Sequence, residues 1–97
     1  MANVRLNWTL PTPTSRQRAI ARTVIEGRVS ASLPWTTLNT VDAPGSTLLL
    51  TDHPPGAWEF RATVVDVGSV PSSPVVAALE LAFDPPSPVT SFTAAVE

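Results

Sequence analysis

The chain carries one histidine, His53, so any acid–base or nucleophilic chemistry that needs an imidazole must be built on it. A Ser-His-Asp relay would pair His53 with the adjacent Asp52 or with a distant acid, and would present its serine on a sharp turn. No serine here stands in a Gly-x-Ser-x-Gly elbow, and a histidine in a turn reads as a surface or half-buried polar residue. Asp42, Asp52, Asp66 and Asp84 sit near turn signals and offer the oxygen ligands that calcium prefers. They lack EF-hand spacing, and turn capping accounts for them without a metal. Glycoside cleavage would need a pair of these carboxylates, and only their existence speaks for it. Arg16, Arg18 and Arg22 form the one basic cluster. Guanidinium groups grip carboxylates and phosphates bidentately, so the cluster suits an acidic partner surface, or simply a solvated loop and strand end. No glycine-rich phosphate loop accompanies it. Trp35 has a ring suited to stacking on a sugar, anchoring an interface or packing in a core. No set of acid, base and nucleophile emerges, and the sequence predicts a non-enzymatic protein with no cofactor and no metal site.

Ninety-seven residues without cysteine make one domain that neither disulfides nor a cysteine-based metal site can staple. Charged residues are 14% of the chain, well below the usual share, and the mean hydropathy is positive. A small domain so short of solvating charge commonly covers part of its surface with another chain. An Ala- and Val-rich coding bias with arginine in place of lysine gives the same balance. A net charge of −2 speaks against a dedicated nucleic-acid binder. No apolar run is long enough to span a bilayer, and the first residues lack the apolar segment of a signal peptide. The expectation is a soluble chain made in the cytoplasm, with no nucleic-acid and no membrane partner.

The elements that must position these side chains follow from period-two alternation. The organising stretch begins at Pro54, Pro55 and Gly56, a turn that feeds a strand with Trp58, Phe60, Ala62 and Val64 on one face and Glu59, Arg61 and Thr63 on the other. Upstream, Val4, Leu6, Trp8 and Leu10 alternate with Arg5, Asn7 and Thr9 until Pro11 and Pro13 end the strand. A polar loop covers residues 12–18. In residues 19–29 the inward set is Ile20, then Thr23, Ile25, Gly27 and Val29, and the change of phase requires a bulge or bend. A helix over 16–25 is conceivable, but Thr23, Val24 and Ile25 are β-branched and favour a strand. A short strand over 35–41 follows, then a turn at Asp42, Ala43, Pro44 and Gly45, with proline presetting φ and glycine free to take positive φ. Leu48 and Leu50 point inward from the next strand and Leu49 outward. Val75, Ala77, Leu79, Leu81 and Phe83 alternate along a sixth strand. Residues 84–88 are a Pro-rich joint, and residues 89–96 read as a seventh strand with Phe92, Ala94 and Val96 on one face. Six to seven short strands with regular turn signals predict an all-β sandwich over 1–83, with an extended C-terminal strand or arm over 84–97.

These segments resemble a fibronectin type III domain. VRLNW is similar to that family's second strand with its core tryptophan, here Trp8. LTDHPPGAWEFRATVVDVGSVPSSPV is similar to its sixth strand, the following turn and the start of the seventh. The resemblance implies a β-sandwich of the fibronectin type III and immunoglobulin kind, serving as a scaffold for binding. Two positions depart from the family pattern. Trp58 stands where members carry a tyrosine just after the Pro-Gly turn, and His53 stands where an apolar residue is expected. The family's first strand, of the form Pro-x-x-Leu-x-Ala, has no room before Val4, and DPPSPVTSFTAAVE at the other end resembles it instead. Phage tail and virion proteins often contain such domains joined by Pro-rich linkers, so the resemblance implies a virion component.

The first and seventh strands of such a sandwich run in the same direction, so the tail leaves at the pole opposite the one where a first strand must begin. Residues 84–88 span at most about 17 Å, less than the ~20 Å of a six-residue strand. Filling its own vacancy is strained, and filling a neighbour's by strand addition is not. Burial of Phe92 and Val96 alone does not offset the ordering of eight residues, so the tail needs ladder hydrogen bonds and a groove. A strand reversed onto its own sheet edge, disorder, and docking on a different protein are the other outcomes. The expected interface residues are Val89, Phe92, Ala94 and Val96, with Arg16, Arg18 and Trp35. The expected partners are further copies of the chain, as a homo-oligomer, or other virion proteins in capsid decoration or in tail or fibre attachment. The rival from another class is a carbohydrate- or cell-surface-binding module that takes a host-surface glycan at Trp35.

Overall fold

In the computed structural model, which describes residues 2–96, the period-two segments become six strands and no helix. They are β1 (Ala2–Asn7), β2 (Ile20–Arg28), β3 (Thr36–Asp42), β4 (Thr47–His53), β5 (Gly56–Asp66) and β6 (Val75–Leu81). All pairings are antiparallel. One sheet holds only β1 and β4, and the other has the order β3-β2-β5-β6. Met1 and Glu97, at the outer limits of the two predicted segments, lie outside the described residues.

Four of the six buried side chains among the described residues come from the alternating sets, while His53 and Val65, read as a turn residue and an outward one, are buried as well. Val4 on β1, Thr23 and Ile25 on β2, His53 on β4, and Phe60 and Val65 on β5 are the most enclosed. Leu48 and Leu50 are half-buried while Leu49 is exposed, as their parity requires. The two sheets face each other: His53, from the smaller sheet, packs its ring 4.2 Å from that of Trp58 on the larger one. The phase change in β2 is a bulge. Ile20 pairs with Asp66 and Arg22 with Val65, which leaves Ala21 as the extra residue. A second irregularity lies in β3, where Ile25 faces Asn39 but Glu26 faces Thr37.

Two turns show how local chemistry sets the connections. Gly45 donates its N–H to the Asp42 carbonyl at 2.9 Å, across a cis Ala43–Pro44 bond. The positive φ expected at Gly45 is absent there and falls instead on Gly56, at 137°. Only Pro54 and Pro55 separate β4 from β5, and this corner carries the chain from one sheet to the other. Trp58 Nε1 donates to the Pro54 carbonyl at 2.8 Å and ties the corner to the start of β5. This end of the body is the corner pole.

β5 is the longest strand and is flanked by β2 and β6. β6 pairs with it from Ala62–Val75 to Gly56–Leu81, so the chain leaves the body at the corner pole. Beyond β6 the predicted seventh strand does not form. Residues 82–96 belong to no ladder among the described residues, and Phe92 is 91% exposed. A strand needs an edge to pair with, and residues 89–96 meet none within the described chain. The molecule extends over 84 × 26 × 15 Å, with a radius of gyration of 20.2 Å. A globular chain of this length would have a radius of roughly 12–13 Å.

A side chain at Gly56 would combine an unfavourable φ with a Cβ placed 2.7 Å from Val29 Cγ2. Gly56→Ala is expected to cost about 1–3 kcal/mol, read as a lowered midpoint in urea unfolding with an unchanged slope.

Candidate interaction site

His53, the last residue of β4, turns into the space between the sheets. It is buried rather than half-exposed, with its ring edge against Trp58 and 5.5 Å from Phe60. Its Nε2 is buried and has no hydrogen-bond partner among the described residues. Burial removes water from the imidazolium and holds the pKa below the ordinary 6.5. An imidazole set against two aromatic rings with its Nε2 enclosed acts here as a packing group. Of the carboxylates, Asp66 is a turn cap: its Oδ1 accepts from the N–H groups of Gly68 at 2.8 Å and Val70 at 2.9 Å.

Trp35 precedes β3 and lies on the outer face of the four-stranded sheet, half-buried over two guanidinium groups. Arg28 and Arg61 lie 4.2 and 4.6 Å from its ring centroid. Each arginine faces a glutamate directly across the β2–β5 ladder. Arg28 Nε meets Glu59 at 2.9 Å, and Arg61 Nε meets Glu26 at 2.8 Å. The indole thus covers two ion pairs on the wet face, where it shields them from water and gains cation–π attraction. It belongs to neither the inter-sheet core nor the surfaces described next.

Between the sheets lies an apolar groove of about 530 Å³. Leu6 and Trp8 of the first strand and its extension form one wall, Ala62 and Val64 of β5 the floor, and Val75 and Ala77 of β6 the other wall. Trp8 Nε1 is buried there without an acceptor among the described residues. Of the alternating residues of β6, Val75, Ala77 and Leu79 are exposed, Val75 at 73% and Leu79 at 43%, and Leu81 is half-buried. The smaller sheet ends at β1, so among the described residues no strand stands opposite β6 to cover them. A second hollow of about 510 Å³ shares Pro11, Val64 and Ser72 with the groove and opens at the pole away from the corner. Arg16 and Arg18 line it. The Arg18 guanidinium occupies the space that a side chain at Gly68 would fill. The structure therefore brings Arg16 and Arg18 to the groove mouth, while Val89, Phe92, Ala94 and Val96 stay out on the exposed arm and Trp35 sits on another face. Sequence periodicity does not reveal the groove, because Leu6, Trp8, Val75 and Ala77 read as ordinary core. The signal that could have found it is the mismatch in strand number between the sheets.

Compared with protein-family models, curated proteins and solved structures, the chain matches none.

Two measurements check the assigned roles. The unfolded chain takes up a proton on His53 as pH falls through 6.5, while the folded chain resists it, so folding stability drops until the depressed folded pKa is passed. Urea melts between about pH 8 and pH 5.5 are expected to show this decline, and His53→Phe to flatten it. Trp35→Ala is expected to cost about 1–2 kcal/mol in thermal unfolding, with no change in self-association.

Proposed function

We propose that this chain is a non-enzymatic structural protein of a bacteriophage virion, built on a fibronectin type III-like β-sandwich and joined to its neighbours through its C-terminal arm. The observation that carries the reading is the arm itself. Its apolar alternation is that of a strand, yet it stands exposed beside a body whose inter-sheet groove is uncovered. Isolated apolar side chains on a surface are common; a whole strand's worth together with an open apolar groove marks an interaction surface.

Two features support the sandwich. Taking β1 as the second strand of the family, β4 becomes the fifth and β2, β5 and β6 the third, sixth and seventh. The pairing of β1 with β4, and of β2 with β5 and β5 with β6, is then the division of strands in immunoglobulin-like sandwiches. The bond from Trp58 to the Pro54 carbonyl stands in for the tyrosine corner, in which a side chain at the start of the sixth strand reaches back to the upstream backbone. An indole N–H replaces the phenol, so the departure at this position keeps the interaction. Placement in a virion rests on the likeness to Pro-linked domains of phage tails and particles. Capsid decoration and tail or fibre attachment both use a small domain of this kind.

Sedimentation of the full chain is expected to show self-association, and a chain ending at Phe83 is expected to remain monomeric. Equal association of the two would remove the arm from the mechanism. Mass spectrometry of purified particles is expected to find the protein in stoichiometric amounts, and its absence would sink the virion assignment.

A further inference from the structure

We infer that the arm of one copy lies as a strand in the inter-sheet groove of a second copy, running antiparallel to β1 and covering the inner face of β6. This inference rests on the reading of the arm as the joining element and specifies where it lands. Among the described residues the acceptor has two free edges here: β1 pairs only with β4, and β6 only with β5. The apolar groove lies between those edges. A strand added to β1 would extend the smaller sheet and face β6, at the ~10 Å separation of packed sheets.

The donor matches this acceptor. Phe92, Ala94 and Val96 repeat at period two, and the small side chains of Ala62 and Ala77 leave depth for an aromatic ring. Between Pro85 and Val96 the arm carries no charge. Free strands that avoid pairing usually carry a charge or a proline as protection. Here the prolines are confined to residues 85–88, and 89–96 is left competent to pair. The accessible surface fits as well. The chain exposes 7116 Å², about 1,700 Å² more than the ~5,400 Å² of a folded monomer of its mass. That excess is the amount a standard protein–protein interface removes from water.

Geometry selects a second copy over the chain's own groove. β1 runs away from the corner pole, since Ala2 pairs with His53 and Asn7 with Thr47. An antiparallel partner must therefore enter at the opposite pole, past Arg16 and Arg18. The arm departs at the corner pole, beyond the Leu81–Gly56 pair. Residues 82–88 reach about 23–25 Å when fully extended, so a return along the ~20 Å of β6 leaves almost no slack for the reversal, and the arm instead runs outward with Phe92 91% exposed. A neighbouring molecule has no such restriction. Donor and acceptor surfaces differ, so the contact is heterologous and repeats head to tail unless copies close on one another.

Full-length variants test this by complementation. Phe92→Asp disables the donor and keeps the groove, and Ala77→Arg blocks the groove and keeps the arm. Each alone is expected to sediment as a monomer where the wild type associates, and an equimolar mixture is expected to form a dimer of twice the monomer mass. Val75→Arg serves as a second groove block should Ala77→Arg fail to give a cooperative melt. Association of both groove variants at wild-type strength would overturn the groove as the landing site and leave the arm as the joining element. Association of Phe92→Asp at wild-type strength, or a wild type that stays monomeric at high concentration, would overturn both.

Discussion

An apolar sheet face must be covered, and here a two-stranded sheet is set to cover a four-stranded one. The central strands of the larger sheet receive enough from β1 and β4 to bury Ile25 and Phe60. Cover runs out at the flank, and β6 carries an inward row of aliphatic side chains that face no opposing strand. The groove and the open edges derive from this shortfall, and the exposed arm adds to the excess of accessible surface.

The rest of the body compensates by concentrating order around β5. At its start, the Trp58 indole is tied to Pro54 and packs with His53 and Phe60, which closes the corner between the sheets. On its outer side, two cross-strand ion pairs under Trp35 clamp β5 to β2. Salt bridges as exposed as these are individually weak. An aromatic lid that limits water access strengthens them, and the central pair of strands gains a second packed layer on a face that would otherwise be solvent. The inner and outer layers are chemically distinct: aromatic and aliphatic within, guanidinium and carboxylate without.

Most of the strand framework was legible in the sequence, because period two is a local property. The facing of Leu48, Leu49 and Leu50, the alternation along β5, and the bulge between Ile20 and Thr23 could all be read from residue types alone. What was not legible depends on partners distant in sequence. His53 reads as a polar turn residue until Trp58 and Phe60 close over it from the other sheet. Trp35 lies before its strand begins, outside the alternation that would assign its face, and two arginines on β2 and β5 decide it. The pattern of β6 correctly gives a strand with one apolar side, but burial of that side is a property of whatever stands opposite. Residues 89–96 carry a strand's pattern without a strand's environment, and a single chain does not supply one.

The passage of β6 into the arm at the corner pole has a mechanical consequence. Tension applied through the arm acts along the axis of β6, and the seven register pairs between β5 and β6 share it in shear. They do not open in succession, as they would if the strand were peeled from its end. A chain pulled by its arm in that direction would therefore give way by rupture of the whole β5–β6 ladder at once.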